Sequence, residues 1–396
     1  MTLTFEQARA CVLQQVGTHR SNLAVEHISA LDAAGRILAE PILADRDYPP
    51  FPRSARDGFA VRSADLPGEL AIIGEVRAGE TFRGSVAAGQ AVEIMTGAPL
   101  PDGADAVVMV EHTERSGDLV HIDRTQAGGD NFNPRGVEAR LGAQLLEPGT
   151  RLGFSEIALL ATVGKERLTV YAKPRVAILP TGDELVDVGQ TPDASQIRNS
   201  NAWSMAVQAA RAGAEPVILP IARDNYDATR KLVEQGLACD LLLLSGGVSA
   251  GKYDIVEKVL ADLGAEFYFT RVLIQPGQPL VFGSVQGRFF FGLPGNPAST
   301  MVTLEVFARA AIELLSGVTE ASLPFLQAPL SRDFRQKTGL TRFLPARVSA
   351  DGSSVEPLSW QGSGDVAAVS RANAFLVTEP DRDQWSAGDM IRVLLK

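Results

Sequence analysis

Cysteine, histidine and basic residues are scarce in this chain of 396 residues. Its two cysteines and four histidines are too few and too scattered for structural zinc or iron–sulfur binding. Two cysteines without a spacing pattern are typical of a reducing compartment, so we expect a cytoplasmic protein. The 47 acidic residues outnumber the 37 basic ones, which gives a net charge of −10. Because nucleic acids and anionic membranes attract basic surfaces, we expect neither as a partner.

Long hydrophobic runs are also missing. No stretch approaches the roughly 18 apolar residues of a membrane span, and no charged-then-apolar segment opens the chain as in a signal peptide. The longest apolar runs, such as 241–244, have the length of a strand. With 45% hydrophobic and 21% charged residues, the chain nevertheless has the composition of a folded protein with several domains.

The first part of the chain mixes helical and strand patterns. Apolar residues recur at helical spacing over 4–16, after a capping box that Thr4 and Gln7 can form. Similar spacing predicts helices over 29–40 and 155–163. Between them, from about 58 to 123, short apolar runs alternate with turn residues, which indicates a small β domain.

After Pro174 the pattern changes to alternating strands and helices. We predict these elements at 175–179, 200–211, 217–221, 226–235, 240–244, 253–263, 266–274, 279–283, 288–291 and 298–315. Such alternation is typical of a mostly parallel sheet with helices on both faces. From about 321 the chain returns to strands, the last at 390–395. The predicted fold class is therefore a multi-domain α/β plus β protein.

Three strands of the predicted α/β domain end in turns of similar composition. The turns are TGDE at 181–184, SGGVSAG at 245–251 and LPGNP at 293–297. In an open parallel sheet, ligands bind beyond the carboxyl ends of the strands. Glycines there let backbone N–H groups approach an anion, and the following helix adds the positive end of its dipole. We expect an anion-binding site at this edge, although turn formation alone also explains such residues.

The middle turn also matches most of a nucleotide-binding P-loop. Gly246, Gly251 and Lys252 have the P-loop spacing, between a predicted strand and a predicted helix. Tyr253, however, stands where a P-loop needs serine or threonine to hold magnesium. ATP hydrolysis that is abolished by Lys252→Ala would support this alternative. A serine hydrolase is disfavoured, because every histidine precedes residue 122 and no Gly-x-Ser-x-Gly motif occurs.

Several acidic residues lie near predicted turns and are candidate metal ligands. Oxygen ligands suit Mg²⁺, which often joins one or two carboxylates to a substrate phosphate. Taken singly, each acid is also explained by a helix cap or a charged surface. The candidates are Asp57, Glu138, Glu184, Asp224 and Asp254.

Six short sequence motifs occur in an order that resembles the motif order of a known protein family. They are SARDGFA at 54–60, MTGAP at 95–99, PTGDEL at 180–185, SGGVSAG at 245–251, PGQP at 276–279 and GLPGNPAS at 292–299. Together they closely resemble the molybdopterin molybdenumtransferase (MoeA) family, to which the carboxyl-terminal part of gephyrin also belongs. The resemblance spans about residues 5 to 396.

The resemblance implies four domains and a homodimer whose active sites form between subunits. The implied domains are a discontinuous amino-terminal domain of 1–44 and 140–173, an inserted β domain of 45–139, an α/β molybdopterin-binding domain of 174–320 and a carboxyl-terminal β-barrel domain of 321–396. The implied reaction inserts molybdate into adenylylated molybdopterin with the help of Mg²⁺, and releases AMP with the molybdenum cofactor. A molybdopterin adenylyltransferase and molybdoenzymes are the implied partners.

The resemblance also assigns roles to residues at the motif positions. The implied catalytic residues are Asp57, Glu138, Glu184, Asp224 and Asp254, of which the last three are implied metal ligands. Glu138 stands where the family usually has aspartate. The implied substrate-binding residues are Thr96, Thr181, Gly182, Ser245, Gly246, Gly247, Ser249, Gln275, Gln278, Pro294, Gly295, Asn296 and Pro297.

Gln275 and Gln278 replace two lysines that are usual in the family. Hydrogen bonds to charged groups contribute about 1.5–3 kcal/mol, against about 0.5–1.5 kcal/mol between neutral groups, so two amides hold an oxyanion less firmly. Arg271, Lys252 or Arg342 could supply the missing charge. Otherwise the chain is a weak paralogue that carries molybdopterin or acts as a scaffold, or a variant that prefers tungstate. AMP release with and without molybdate distinguishes an enzyme from a carrier.

Overall fold

The structure, a computed structural model, describes residues 1–19, 23–246 and 255–396. Three large sheets, each of six strands, account for most of the strand residues in these ranges. None of the helices in the described ranges combines the length and the apolar composition that crossing a bilayer requires. The multi-domain α/β plus β fold class is confirmed.

The central sheet positions the candidate site. In spatial order its strands are Glu215–Ile218, Arg175–Pro180, Leu241–Ser245, Arg288–Leu293, Val281–Val285 and Glu266–Phe269. The first four are parallel, and the last two are antiparallel to their neighbours. All five residues of Leu241–Ser245 are buried, as expected for a central strand with both faces covered.

Helices cover the two faces of this sheet. Leu241 and Leu243 pack on one side with Ser200–Arg211 and with a long helix made of Pro297–Thr303, a π-helical turn Leu304–Ala308 and Arg309–Leu315. The helices Tyr226–Gly236 and Ile255–Asp262 cover the other side, where Leu242 and Leu244 point. The alternation of consecutive leucines between two cores follows from the two-residue period of a strand.

The predicted strand over 266–274 is divided among three sheets. Glu266–Phe269 belongs to the central sheet, and Arg271–Val272 pairs in parallel with Thr2–Leu3. Ile274–Gln275 then pairs with Thr341–Val348 of the carboxyl-terminal sheet. The chain thus connects the α/β domain to the carboxyl-terminal β domain through this short segment.

The carboxyl-terminal sheet runs, in spatial order, Ile274–Gln275, Thr341–Val348, Ala374–Thr378, Met390–Leu395 and Phe325–Pro329, with Val355–Pro357 paired to Thr341–Val348. The predicted last strand at 390–395 is confirmed. A short helix, Val366–Arg371, lies between two of the strands in sequence and packs near the long helix of the α/β domain. A further strand pair joins Phe334–Arg335 to Gln384–Trp385.

A six-stranded sheet forms the inserted β region. In spatial order its strands are Ala106–Met109, Gly58–Val61, Gln90–Ile94, Gly68–Val76, Leu119–Ile122 and Glu114–Ser116. The strand pair Phe132–Asn133 and Arg53–Ser54 attaches the glycine-rich stretch at 128–136 to the segment that precedes Asp57.

The remaining early elements form small strand pairs around the helix Phe154–Thr162. They are Val25–Ser29 with Arg167–Tyr171 and Ile42–Leu43 with Gln144–Leu146. The helix predicted over 29–40 is wrong: only a 3-10 turn forms at Leu31–Ala33. Gly35 has φ +80°, which ends any helix there, and Leu38 then pairs with Val170 in an extended conformation.

The first helix, Phe5–Gly17, packs on the α/β unit. Thr4 and Gln7 form the predicted capping box. The ring of Phe5 lies edge-on to the rings of Phe307 and Phe343, with centroids 5.6 and 5.3 Å apart. The implied domain boundaries remain predictions, but residues 1–17 contribute to the core that also contains the central sheet.

Candidate functional site

The first residues of the three glycine-containing turns lie side by side at the carboxyl edge of the central sheet. The strand register places Pro180 beside Ser245, and Ser245 beside Leu293. The backbone N–H of Thr181 donates to the Ser245 carbonyl at 3.0 Å, and that of Gly246 donates to the Leu293 carbonyl at 3.2 Å. The parallel topology therefore brings the turns together as expected.

Asn201, which the sequence patterns did not single out, ties two of these turns together. Its Nδ2 donates to Ser245 Oγ at 2.9 Å and to the Gly295 carbonyl at 2.8 Å. Asn199 caps the helix that carries Asn201. The Oδ1 atom of Asn201 is buried and has no hydrogen-bond partner among the described residues. A ligand with an N–H or O–H donor would satisfy it.

The turn at Gly246 requires glycine. Its φ is +90°, and a Cβ at this position would lie 2.7 Å from the backbone oxygen of Thr181. Gly182, with φ +136°, is also in a conformation that favours glycine, and its Cβ would overlap the Glu184 carboxylate. These glycines let the first and second turns approach each other closely.

The structure brings three acidic residues together beside the first turn. The backbone N–H of Asp224 donates to Asp183 Oδ1 at 3.0 Å. The pKa of Asp224 is raised above its usual value, first by partial burial and then by the charges of Asp183 and Glu184. The guanidinium of nearby Arg223 donates to the backbone carbonyls of Asp183 and Leu185, each at 2.9 Å, and forms no ion pair with the three acids in the described part of the chain. The group therefore has excess negative charge.

The carboxylates of Glu184 and Asp224 fit a divalent cation whose coordination shell is completed by other ligands. No three histidine, cysteine, aspartate or glutamate side chains within the described ranges form a ready metal site. Mg²⁺ commonly takes one or two carboxylates and keeps water or substrate phosphate as its other ligands. Such a cation would relieve the electrostatic repulsion between Asp224 and the neighbouring Asp183 and Glu184. Asp254, the third implied ligand, lies outside the described residues.

The remaining implied acids lie in the inserted β region and its glycine-rich stretch. Asp57 Oδ1 accepts hydrogen bonds from the Thr96 backbone N–H at 2.6 Å and from Thr96 Oγ1 at 2.8 Å. These two bonds lower the pKa of Asp57. Glu138 Oε1 accepts from Arg53 Nη2 at 2.5 Å.

Asp57 adjoins a strand of the inserted sheet and Glu138 follows its glycine-rich stretch, whereas Glu184 and Asp224 follow strands of the central sheet. The described implied catalytic acids thus belong to two different parts of the fold. One group belongs to the carboxyl edge of the central sheet, and the other to the inserted region.

Gln275 and Gln278, which stand before and within the PGQP segment, each contact an arginine. Gln275 Oε1 accepts from Arg342 Nε at 2.8 Å, and Gln278 Oε1 accepts from Arg271 Nη2 at 3.0 Å. Arginine only donates, so each glutamine must present its carbonyl oxygen and leave its amide donors for another partner. Arg342 is 5% exposed, and burial lowers its pKa. Two of the three candidate cations therefore contact the two glutamines.

The third turn is held by the helix that follows it. Thr300 Oγ1 donates to the Pro294 carbonyl at 2.6 Å and to the Asn296 carbonyl at 3.1 Å. Pro297 is the first helical residue, where its missing N–H costs no hydrogen bond.

Other predictions fall on positions that lie outside the described residues, namely Gly247, Ser249, Gly251, Lys252 and Tyr253.

Comparisons with known proteins identify the family. Three family models match successive parts of the chain: "MoeA N-terminal region (domain I and II)" over 3–164, "Probable molybdopterin binding domain" over 177–314 and "MoeA C-terminal region (domain IV)" over 327–396. A molybdopterin molybdenumtransferase of Staphylococcus aureus strain COL is 32% identical over 393 residues, covering 97% of this chain and 94% of the relative. The chain belongs to the MoeA family.

Other members of the MoeA family are also similar to this chain over almost its whole length. A molybdopterin molybdenumtransferase of Staphylococcus epidermidis strain ATCC 12228 is 32% identical over 379 residues, covering 93% of this chain and 90% of the relative. A crystal structure of the molybdopterin biosynthesis protein MoeA from Pyrococcus horikoshii OT3 has a TM-score of 0.83 at 25% identity and covers 100% of both chains. A second Pyrococcus MoeA structure has a TM-score of 0.74 at 29% identity, with 100% and 99% coverage.

Proposed function

We propose that this protein is a molybdopterin molybdenumtransferase, which inserts molybdate into adenylylated molybdopterin and releases AMP with the molybdenum cofactor. The observation that carries the proposal is the match to enzymes of this name over almost the whole length of both chains. The three adjoining turns and the acidic group beside them support it, because they suit an anionic substrate together with a cation. On this basis the chain completes the synthesis of the cofactor.

The carboxyl edge of the central sheet is the proposed substrate cleft. Ser245 and Asn201 orient the ligand through their side chains, and Thr181 takes part from the first turn. Backbone donors of the glycine turns hold the phosphate. The proposed lining also includes Gly182, Gly246, Gly247, Ser249, Pro294, Gly295, Asn296 and Pro297.

Glu184 and Asp224, with Asp254, are the proposed holders of Mg²⁺. If bound there, Mg²⁺ would supply positive charge that offsets the charge of the adenylate phosphate. Glu184 and Asp224 would hold the cation next to the glycine turns. A net-acidic chain can thus handle an anionic substrate.

Gln275 and Gln278 are proposed to bind molybdate together with their arginine partners. The arginines orient both side-chain amides and add positive charge beside them. The positive charge of the arginines beside the two amides is proposed to offset the absence of the lysines. We therefore place the two glutamines and their arginine partners in one binding site.

The active site is proposed to be completed by a second copy of the chain. Asp57, Thr96 and Glu138 belong to the inserted β region, and Glu184 and Asp224 belong to the α/β domain. A site shared in a homodimer would bring the two sets together. The proposed protein partners are a molybdopterin adenylyltransferase and molybdoenzymes, in the cytoplasm. Whether two subunits share one active site can be tested by mixing an Asp57→Asn variant with a Glu184→Gln variant. In the mixed dimer, a shared site would regain activity because one of the two sites contains both wild-type residues.

AMP release from adenylylated molybdopterin tests the proposed function. Wild-type protein with Mg²⁺ should release AMP only when molybdate is added, whereas Glu184→Gln should bind the substrate without releasing AMP. Binding without turnover at high molybdate would instead identify a carrier, which the comparisons do not favour. Competition between molybdate and tungstate in the same assay measures which oxyanion the site prefers.

A further inference from the structure

A second cavity lies between the α/β domain and the carboxyl-terminal β domain. Its volume is about 430 Å³, which is within the range of small-molecule sites. Three helices line it: Ser200–Arg211, the long helix that begins at Pro297, and Val366–Arg371 of the carboxyl-terminal β domain. The first two belong to the α/β domain. The first turns of these same helices border the candidate active site, so the cavity lies one to three helical turns further along them.

Apolar side chains form much of the cavity wall. Trp203 and Val207 lie one turn apart on the first helix and are 60% and 61% exposed. Met301 lines the cavity from the long helix, and Val366 and Phe375 do so from the carboxyl-terminal β domain. An exposed indole facing other apolar groups is a favourable surface for a flat ring, which would remove this area from water.

Two cations line the same cavity. Arg211 lies at the end of the first helix, close enough to Lys396 for their charges to repel. Lys396 Nζ donates to the Val369 carbonyl at 2.8 Å, and Arg211 has no ion pair with a carboxylate within the described ranges. An anionic group on a ligand would relieve this repulsion.

From these features we propose that the cavity binds a purine nucleoside monophosphate. The base lies against Trp203 and Met301, and the phosphate binds Arg211 and Lys396. This ligand combines a flat ring with a negative charge, which are the two properties that the cavity lining complements. The proposal is independent of the reaction at the candidate active site.

Fluorescence of Trp203 in the intact protein tests this proposal, with guanosine monophosphate as the probe. Stacking of the base on the indole should quench emission saturably. The variant Trp203→Phe should lose the effect, since Trp360 and Trp385 do not line the cavity. Arg211→Gln should weaken binding about tenfold, the effect of losing one charged hydrogen bond. Lys231→Gln, which removes an exposed cation from another helix, should bind like wild type.

Guanosine, which lacks the phosphate, should bind more weakly than guanosine monophosphate. In the variant Arg211→Gln this difference should shrink, because part of the phosphate contact is lost. The proposal is overturned by an absence of saturable quenching at millimolar nucleotide, or by equal affinity in wild type and Arg211→Gln. It is also overturned if a second copy of the chain covers Trp203, which acrylamide quenching would show as an inaccessible indole.

Discussion

The guanidinium of Arg342 holds the side-chain carbonyl of Gln275, with Nε and Oε1 2.8 Å apart. Gln275 is the last residue of a strand from the α/β domain, and Arg342 lies beside it in the carboxyl-terminal sheet. A charged residue from one domain therefore fixes the orientation of an amide from another. The carboxyl-terminal β domain, whose sequence says least about function, thereby contributes to the proposed oxyanion site.

The corresponding pair of Arg271 and Gln278 gives a test without a folding penalty, because Arg271 is exposed. The variant Arg271→Gln should raise the molybdate concentration for half-maximal AMP release about tenfold, since a charged hydrogen bond is replaced by a neutral one. The melting temperature should stay unchanged. Lys231→Gln serves as the matched control. If AMP release by Arg271→Gln depends on molybdate as in wild type, Arg271 does not take part in binding molybdate.

Asp224→Asn should lower AMP release without lowering the stability of the protein. The folded-state pKa of Asp224 is raised by burial, Asp183 and Glu184, so ionisation of this group opposes folding as pH rises through its pKa. At pH 7 the asparagine variant should therefore melt at the same temperature as wild type or slightly higher. AMP release should nevertheless fall strongly.

The control for Asp224→Asn is Asp227→Asn, which removes an exposed acid from the first turn of the next helix. This variant should keep wild-type AMP release and should be slightly less stable, because it loses a favourable helix-dipole interaction. Destabilisation of Asp224→Asn at neutral pH would contradict the proposed repulsion.

Thr96→Val should change the pH dependence of stability. The pKa of Asp57 is lowered by the backbone N–H and the hydroxyl of Thr96, so the stability that this contact provides is present above the unfolded pKa and is lost as pH falls through the folded pKa. The variant keeps the backbone bond and loses the hydroxyl bond, so the pKa of Asp57 should rise partway toward its usual value. Carboxyl chemical shifts measured over pH would report this rise.

Melting temperatures give a second measurement of the same contact. The difference between wild type and Thr96→Val should be largest near neutral pH and should shrink in acid, where Asp57 is protonated in both proteins. Thr113→Val is the control, because the Thr113 hydroxyl donates to the Val110 carbonyl, which does not titrate. A pH-independent difference for Thr96→Val would exclude the proposed role of its hydroxyl.

Asn201→Asp should impair the cleft by removing the donor that joins two turns. An aspartate of the same size would place a carboxylate oxygen against the Gly295 carbonyl, which cannot donate to it. The Ser245 hydroxyl could turn to donate to the carboxylate, so only the contact with Gly295 is lost outright. We expect a loss of about 1–3 kcal/mol in the free energy of unfolding, together with weaker binding of adenylylated molybdopterin.

Asn373 offers a matched control for that substitution. Its side chain bonds to the backbone of Val348 through both Nδ2 and Oδ1, far from the cleft in the carboxyl-terminal β domain. Asn373→Asp should lose comparable stability while AMP release per folded protein stays the same. If both variants lose the same activity per folded protein, Asn201 has only a structural role.

The order of strands and helices after Pro174 could be predicted because each element there is long and strongly patterned. The helix Ser200–Arg211 has the predicted bounds. The meeting of the three turns also followed, since parallel strands end at the same edge. The single strand predicted over 266–274 was less accurate, because partners from three separate sheets divide it.

Other features depend on contacts that no local pattern reports. The apolar spacing over 29–40 suits a helix, but the positive φ of Gly35 and pairing with distant strands give an extended chain. Asn201 was missed because its importance comes from hydrogen bonds to turns that follow it by 44 and 94 residues. The polar run at 199–201, just after a short strand and at the start of a helix, was the available signal. The pairing of two glutamines with two arginines likewise required the folded chain.

The contact of Phe5 with both Phe307 and Phe343 has a consequence for synthesis on the ribosome. The first helix leaves the ribosome early, yet the side chains that bury its aromatic face are made only when most of the chain has been translated. Until then Phe5, Ala8 and Val12 lack their final surroundings. The α/β unit therefore cannot complete its core in the order in which it is made, and shortening either end of the chain should weaken the same core.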